Sequence, residues 1–307
     1  MTERQQQSSS LDEPPGEFGR QTFNIDDLLR EKNPALHRRL PRPAIKLLGR
    51  LLHCDQINCK LHELRSVPCR QFPEAALKEL GVDFRIEGAA PDPSIARPVF
   101  VANHPTGGLD GLVMLSWLLN HYDQVKVPAN DILAKFPHLR PLVAPINKFA
   151  RQRDMASILH ATFGSSAAIL VFPAGRTSRP EIAGGRLSDF PWQKMAVRMA
   201  RAHQRPLIPV FISGRNSKLF YAIHHLRRWL AIRTNLEIFL LVREMLQPTC
   251  RRIVLHFGKA VWPTELENLG ADDSERMQHL REACYRLDSS FPPILTPSLR
   301  TKARVSQ

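Results

Sequence analysis

Three short runs constrain the fold of this chain more than anything else in it: "RPVFVANH" from Arg97, "AAILVFPAG" from Ala167 and "PLIPVFISG" from Pro206. Their apolar residues are consecutive rather than alternating, so each run, if extended, must be buried on both faces. Strands of that kind sit in the middle of a sheet that is covered on both sides. Weaker extended text stands at "VDFRIEG", "QVKVPAN", "PLVAPINKF" and "RRIVLHFGKAVW". Helical spacing fills the intervals, over 109–120, 153–163, 192–203, 218–230 and 272–287, with a short helix in "LAKFPHLR". Strands separated by helices need crossover connections. The expectation is therefore an α/β fold: a mixed, largely parallel sheet with helices on both faces and an N-terminal helical segment.

The segments fall in a simple order. Residues 1–25, rich in Gln, Ser, Pro and Glu, read as a disordered tail. Residues 26–81 read as a basic, amphipathic helical region. The α/β domain is expected over 82–265, and a C-terminal helix and tail over 266–307. In the helical region Leu47, Leu48, Leu51 and Leu52 share one face, with Lys46 and Arg50 beside it. That face either packs on the core or lies on a membrane surface.

The chain of 307 residues carries 43 Lys and Arg against 29 Asp and Glu, a formal charge of +14. Such a surface prefers polyanions: nucleic acid, anionic lipid headgroups or an acidic protein. Five scattered cysteines argue against a disulfide framework. No apolar run approaches the roughly 18 residues a spanning helix needs. The expected location is cytoplasmic, with any membrane contact peripheral and on the inner membrane.

Chemistry in open α/β sheets collects beyond the carboxyl ends of strands. Three polar loops stand there: "NHPTGGLDG", "FPAGRTSRP" and "SGRNSKLFY". In the first, His104 is a candidate general base, because imidazole exchanges protons near neutrality. It needs a carboxylate to fix its tautomer, and Asp110, in the first turn of the next helix, can fold back to supply one. The plainer reading is that Asp110 caps that helix and His104 is a loop residue. In the second loop, Pro173 and Gly175 bend the strand exit and expose backbone N–H groups. Arg176, Thr177, Ser178 and Arg179 suit a phosphate or carboxylate, unless the segment is only a solvated basic turn. The third loop adds Asn216 as a substrate-binding candidate.

Together, "NHPTGGLDG" followed by "FPAGRTSR" and "GRNSKLFY" resembles the lysophospholipid acyltransferase superfamily, with its His-x4-Asp and Phe-Pro-Glu-Gly motifs. The text looks closer still to its bacterial branch of hemolysin-like and lyso-ornithine-lipid acyltransferases. The resemblance covers about residues 82–262 and makes 82–265 an acyltransferase catalytic domain. It implies that His104 activates a hydroxyl or amine of a lysolipid acceptor for attack on an acyl thioester, carried by acyl carrier protein or coenzyme A. Asp110 would orient the imidazole, and Arg176 and Arg179 would hold an anionic headgroup. It implies no cofactor and no metal, and an anionic membrane surface as a partner.

There are departures. Five residues rather than four separate His104 and Asp110, a spacing the bacterial branch shares. Ala174 replaces the acidic residue of Phe-Pro-Glu-Gly, which weakens the case for lysophosphatidic acid as acceptor. The family's middle motif has a loose counterpart in "PINKFARQR", with Arg151 and Arg153 as candidates.

Three other readings compete. A nucleic-acid-binding protein fits the charge, but no reading motif is present and no nucleic acid is expected as a partner. A catalytically silent lipid-binding scaffold fits Ala174 but not an intact His104 and Asp110. A serine hydrolase would need a Gly-x-Ser-x-Gly elbow, which is absent. His53, Cys54, Cys59 and His62 lie close in sequence, at a spacing that fits no usual zinc site.

Overall fold

The apolar runs form the centre of a seven-stranded sheet in the order β1-β9-β8-β2-β5-β3-β4. The computed structural model describes residues 11–16, 24–32, 34–146, 152–181, 186–229 and 240–288. Its strands are β1 (Asp83–Ile86), β2 (Val99–Ala102), β3 (Val125–Asn130), β4 (Val143–Ile146), β5 (Ala168–Val171), β8 (Leu207–Ile212) and β9 (Arg252–Phe257). A separate antiparallel hairpin, β6 (Arg179–Pro180) with β7 (Leu187–Ser188), follows the second loop. Every pairing in the large sheet is parallel except β8 with β9. The fold is thus the mixed, largely parallel α/β sheet that the runs predict.

The two-residue period of the central strands divides the core. Phe100, Ala102, Leu170, Ile208 and Val210 point to one face; Val99, Val101, Ile169, Val171, Leu207 and Phe211 point to the other. On the first face lie α1 (Ile25–Lys32), α2 (Pro34–Arg39), α3 (Arg42–Leu51), α4 (Cys54–Glu63), α5 (Phe72–Glu79) and α6 (Gly108–His121). On the second lie α7 (Gln152–Gly164), α8 (Met195–Ala202), the short α11 (Pro263–Leu266) and α12 (Asp273–Tyr285). Two further helices, α9 (Lys218–Trp229) and α10 (Leu240–Leu246), stand by the carboxyl end of the sheet.

The helix α6 explains why the N-terminal helices belong to the same body. Residues Leu112 to Leu119 are buried without a break, and a helix apolar all round must be covered all round. The sheet covers one side and α5 the other, with Phe72, Ala76 and Leu77 buried in the same core. Ile45, Leu52, Ile57 and Leu61 extend that cover. Each such side chain contributes about 1.5–3 kcal/mol, so the cover as a whole is worth on the order of 10 kcal/mol. That is as much as a domain's net stability.

The leucines of α3 divide: Leu52 is buried just beyond its end, while Leu47 and Leu51 are 56% and 60% exposed. That face is therefore divided between the core and the surface. Residues 11–16, inside the tail expected to lack structure, lie against the body: Leu11 is buried, and Asp12 pairs with Arg70. Ile25 at its end already begins α1, while residues 1–10 and 17–23 of that tail, and 289–307, fall outside the described residues. Cys54 is buried on α4 whereas Cys59 on the same helix is exposed, so the His53–His62 cluster does not converge.

At the amino end of the sheet the fully buried Arg205, its guanidinium 5.9 Å from the Phe163 ring, is held by backbone carbonyls. Its guanidinium donates to Phe163 O at 2.6 Å, Ala167 O at 2.8 Å, Arg97 O at 3.2 Å and to Ser165 O. Burial pushes it down to about 10. It gathers the ends of the segments that lead into β2 and β5, fixing the two strands that carry the first two loops.

Candidate active site

Strand order brings the three loops together. β2 lies between β5 and β8 and runs parallel to both, so His104, the Phe172–Arg179 loop and Asn216 emerge at one edge from adjacent strands. Asn103 locks this edge: its side chain donates to Ile212 O at 2.9 Å and accepts from Ile212 N at 2.6 Å. The loop then turns through Gly107, at φ 93°, a conformation that favours glycine. Space matters as much. A Cβ on Gly107 would lie 3.1 Å from Leu241 and from Thr177, and one on Gly108 would lie 2.2 Å from the Met245 sulfur. The double glycine lets α10 close over the head of α6.

Asp110, at 0% exposure, lies at the head of α6 and beside His104. Its Oδ2 accepts from Thr106 N at 2.9 Å and Gly107 N at 2.8 Å, its Oδ1 from the Thr106 hydroxyl, and so it caps α6. The same Oδ2 stands 3.0 Å from His104 Nδ1. This contact has ion-pair length but is poorly aligned as a hydrogen bond, and Nδ1 has no better partner. Catalytic hydrogen bonds commonly straighten only in the complex with substrate. With Nδ1 turned to Asp110, Nε2 is the nitrogen left to take a proton. The ring stacks on Phe172, centroids 4.2 Å apart, and is 19% exposed on the side-chain scale.

The second loop holds the histidine from behind. Ser178 N donates to His104 O at 2.8 Å. Pro173 and Ala174 are buried; Gly175 turns at φ 60°. Ala174 packs in the second core, so an acidic side chain there would have to surrender its hydration. Arg176 is exposed, with its guanidinium 5.4 Å from the Phe190 ring. Arg179 differs from the expectation drawn for the pair. It is buried, its Nη1 donates to Thr177 O at 2.8 Å and Ser178 O at 3.0 Å, and it stacks 4.6 Å from the Phe220 ring of α9. Thr177 and Ser178 are buried as well. Arg176 is thus the more available of the two cations.

Asn216 is a strut between loops. Its Nδ2 donates to Pro105 O at 3.4 Å, and its N–H donates to the Tyr221 hydroxyl at 3.0 Å. Burial pushes Tyr221 up to about 12, so that hydroxyl keeps its proton. Arg153 is exposed on α7, and Arg151 lies outside the described residues.

Two cavities flank the loops, and His104 itself lines neither. One, of about 630 Å³, is bounded by Asn103, Pro105, Ser178, Arg215, Asn216 and Tyr221 among others. The other, of about 720 Å³, takes in Arg176, Arg179, Arg227, Arg228 and Arg281 with His224. Five guanidinium groups against two carboxylates, Glu181 and Asp189, make the cleft an attractor for a carboxylate or phosphate. Sequence reasoning found Arg176 and Arg179 but missed Arg227, Arg228 and Arg281, which reach the cleft from α9 and α12. It also missed Thr106 and Asp189, the latter just after the hairpin. Among the described residues no group of three or more His, Cys, Asp or Glu is placed to hold a metal ion.

The family profile described as acyltransferase matches residues 27–292 of the chain. Two lyso-glycine lipid O-acyltransferases, from Bacteroides thetaiotaomicron and Phocaeicola vulgatus, are each 30% identical over 267 residues. Both alignments cover 86% of this chain, with 97% and 95% of the respective relatives. The solved 1-acyl-sn-glycerophosphate acyltransferase of Thermotoga maritima superposes with a TM-score of 0.48 at 19% identity, covering 71% of this chain and 76% of that one.

Proposed function

The chain belongs to the acyltransferase family, within the lysophospholipid acyltransferase superfamily, and from that premise we propose that it moves a fatty acyl group from a thioester to the hydroxyl of a lysolipid whose headgroup carries a carboxylate. The observation that carries the reading is the His104–Asp110 pair, an exposed imidazole edge backed by a buried, fully engaged carboxylate. Nε2 of His104 takes the proton of the acceptor hydroxyl as its oxygen attacks the thioester carbonyl. Asp110 stabilises the imidazolium so formed. Backbone donors or an arginine meet the oxyanion, and the thiol leaves with the proton returned by His104. The donor is acyl carrier protein or coenzyme A thioester. The arginine cleft holds the headgroup; the names of the relatives favour an amino-acid headgroup over a phosphate.

Membrane action is part of the proposal, supported by two exposed apolar faces. No helix among the described residues is long and apolar enough to cross a membrane. On α9, however, Leu219, Ala222, Leu226 and Trp229 fall within an arc of about 80° at 100° per residue. This face points away from the protein, with Trp229 80% exposed. Lys218 stands beside it, while Arg227 and Arg228 lie toward the opposite side of the helix, at the cleft. A basic, apolar helix face beside the headgroup cleft suits an anionic lipid surface. The exposed Leu47 and Leu51 of α3, beside Lys46 and Arg50, form the second such face.

The test is transfer itself. Purified protein is incubated with acyl carrier protein and coenzyme A thioesters and a panel of lysolipids bearing phosphate or amino-acid headgroups, and products are identified by mass. Turnover with an amino-acid lysolipid, absent in His104→Ala, is expected. Thioester hydrolysis without acyl-lipid product would refute the reading.

A further inference from the structure

Asp189 is a buried carboxylate that the mechanism above does not use. It follows β7, is 5% exposed, and its oxygens meet three donors and no acceptor. Oδ1 accepts from the Ser178 hydroxyl at 2.5 Å and from His104 N at 3.2 Å; Oδ2 accepts from Trp192 Nε1 at 2.8 Å. Its own backbone is tied too. Asp189 N donates to the Tyr285 hydroxyl at 2.8 Å, and its carbonyl accepts from Arg281 Nη2 at 3.0 Å.

These contacts close a ring around the catalytic loop. Ser178 N–H holds the His104 carbonyl, Asp189 holds the His104 N–H, and the Ser178 hydroxyl joins the two holders. The backbone of His104 is thereby clamped on both sides of its Cα, while Asp110 and Phe172 fix the ring. Three donors on one carboxyl favour the ionised form. Burial pushes the other way and raises Asp189 above the usual carboxylate range, with the Ser178, Trp192 and His104 hydrogen bonds opposing. Such a group is expensive to bury for packing alone, since apolar side chains fill space without a desolvation cost.

We propose that Asp189 is a positioning residue for acyl transfer: it sets the Cα and ring direction of His104 and links them to the wall of the arginine cleft, which Asp189 and Arg281 both line. The proposal rests on His104 being the base. Displacing a base by about 1 Å costs on the order of 10²-fold in rate.

The experiment measures kcat, both KM values and Tm for three variants. Asp189→Ala should lower kcat on the order of 10²-fold, with KM for thioester and lysolipid held within about threefold. Asp189→Asn made in a Trp192→Phe background should restore kcat to within about threefold of Trp192→Phe alone. There the amide oxygen still accepts from His104 N–H, and its nitrogen no longer meets the indole donor. If Asp189→Ala does not fold, Ser178→Ala serves instead, with kcat about tenfold down and KM unchanged, because the hydroxyl that aligns Oδ1 is gone. Unchanged kcat with only a lowered Tm, or a fall in kcat that the Asn double variant does not restore, overturns the proposal. Wild-type turnover and its loss in His104→Ala, measured alongside, separate this outcome from failure of the acyltransfer reading.

Discussion

Replacing Asp110 by asparagine separates the two roles proposed for this carboxylate, helix cap and partner of His104. Its Oδ2 faces three groups that donate or can donate: Thr106 N, Gly107 N and His104 Nδ1. Its Oδ1 faces only the Thr106 hydroxyl, which can turn to accept. An asparagine will therefore set its oxygen at the Oδ2 position and its amide nitrogen toward Thr106. The cap survives, the tautomer of His104 survives, and only the charge is lost. Two unit charges about 4 Å apart attract by about 4 kcal/mol at an effective dielectric of about 20. That attraction is felt by the imidazolium of the transition state and not by the neutral ground state. It corresponds to a loss on the order of 10³-fold in kcat, smaller than the ~10⁴ of a triad in which the tautomer is also wrong. Asp110 is the N3 residue behind the N-cap Gly107, and each of its contacts keeps a partner in the amide and loses only charge assistance, so stability should fall by no more than about 2 kcal/mol. The assay is steady-state transfer of acyl groups from thioester to lysolipid, with urea unfolding of the same preparations. A kcat within tenfold of wild type would show that Asp110 is a cap alone. A large loss of stability would show that the amide cannot adopt the arrangement described.

Arg176→Lys should raise the KM for the lysolipid several-fold and leave that for the thioester unchanged, because an ammonium cannot pair two hydrogen bonds with a carboxylate; the converse pattern would assign this loop to the donor. Binding to sedimented anionic vesicles should fall at high salt, and Leu226→Glu with Trp229→Glu should weaken it at least tenfold; equal, salt-insensitive binding to neutral vesicles would refute the electrostatic part. His138 is fully buried, bonded to Leu64 O at 3.0 Å and stacked on Phe72, and burial pushes it down to about 4. Between about pH 6.5 and 4 the unfolded chain takes up a proton that the folded chain refuses, so stability falls as pH falls through that window, by up to about 3 kcal/mol. Urea midpoints at pH 7 and 4.5 should show the fall, and His138→Gln should flatten it.

The central strands were legible because burial on both faces leaves a mark at every position. His104, Asp110 and the Phe-Pro-x-Gly loop were legible because polar groups at strand exits stand out against those runs. Asp189 was not. One aspartate in "RLSDFPW" has no spacing that announces its partners, which apart from the nearby Trp192 come from the first loop, the second loop and α12. The burial of Arg179 was hidden for a related reason: Phe220, on which it stacks, is 41 positions further along the chain. The β6–β7 hairpin is too short for alternation to register, and the apolar text of α10 fits strand and helix alike. What sequence could not give was adjacency, and the strand order supplies it.

That same strand order has a consequence for how the protein comes into being. β1 hydrogen-bonds β9, and β2 needs β8 on one side, so the first two strands to leave the ribosome wait for residues 207–257 before their edges are satisfied. Contacts so distant in sequence slow folding and leave apolar strand edges open meanwhile. The Tyr285 hydroxyl that receives Asp189 N–H comes later still. A nascent chain can therefore hold His104 and Asp110 well before the contacts around them can form. The contacts around the first loop are complete only once α12 has docked on the finished sheet.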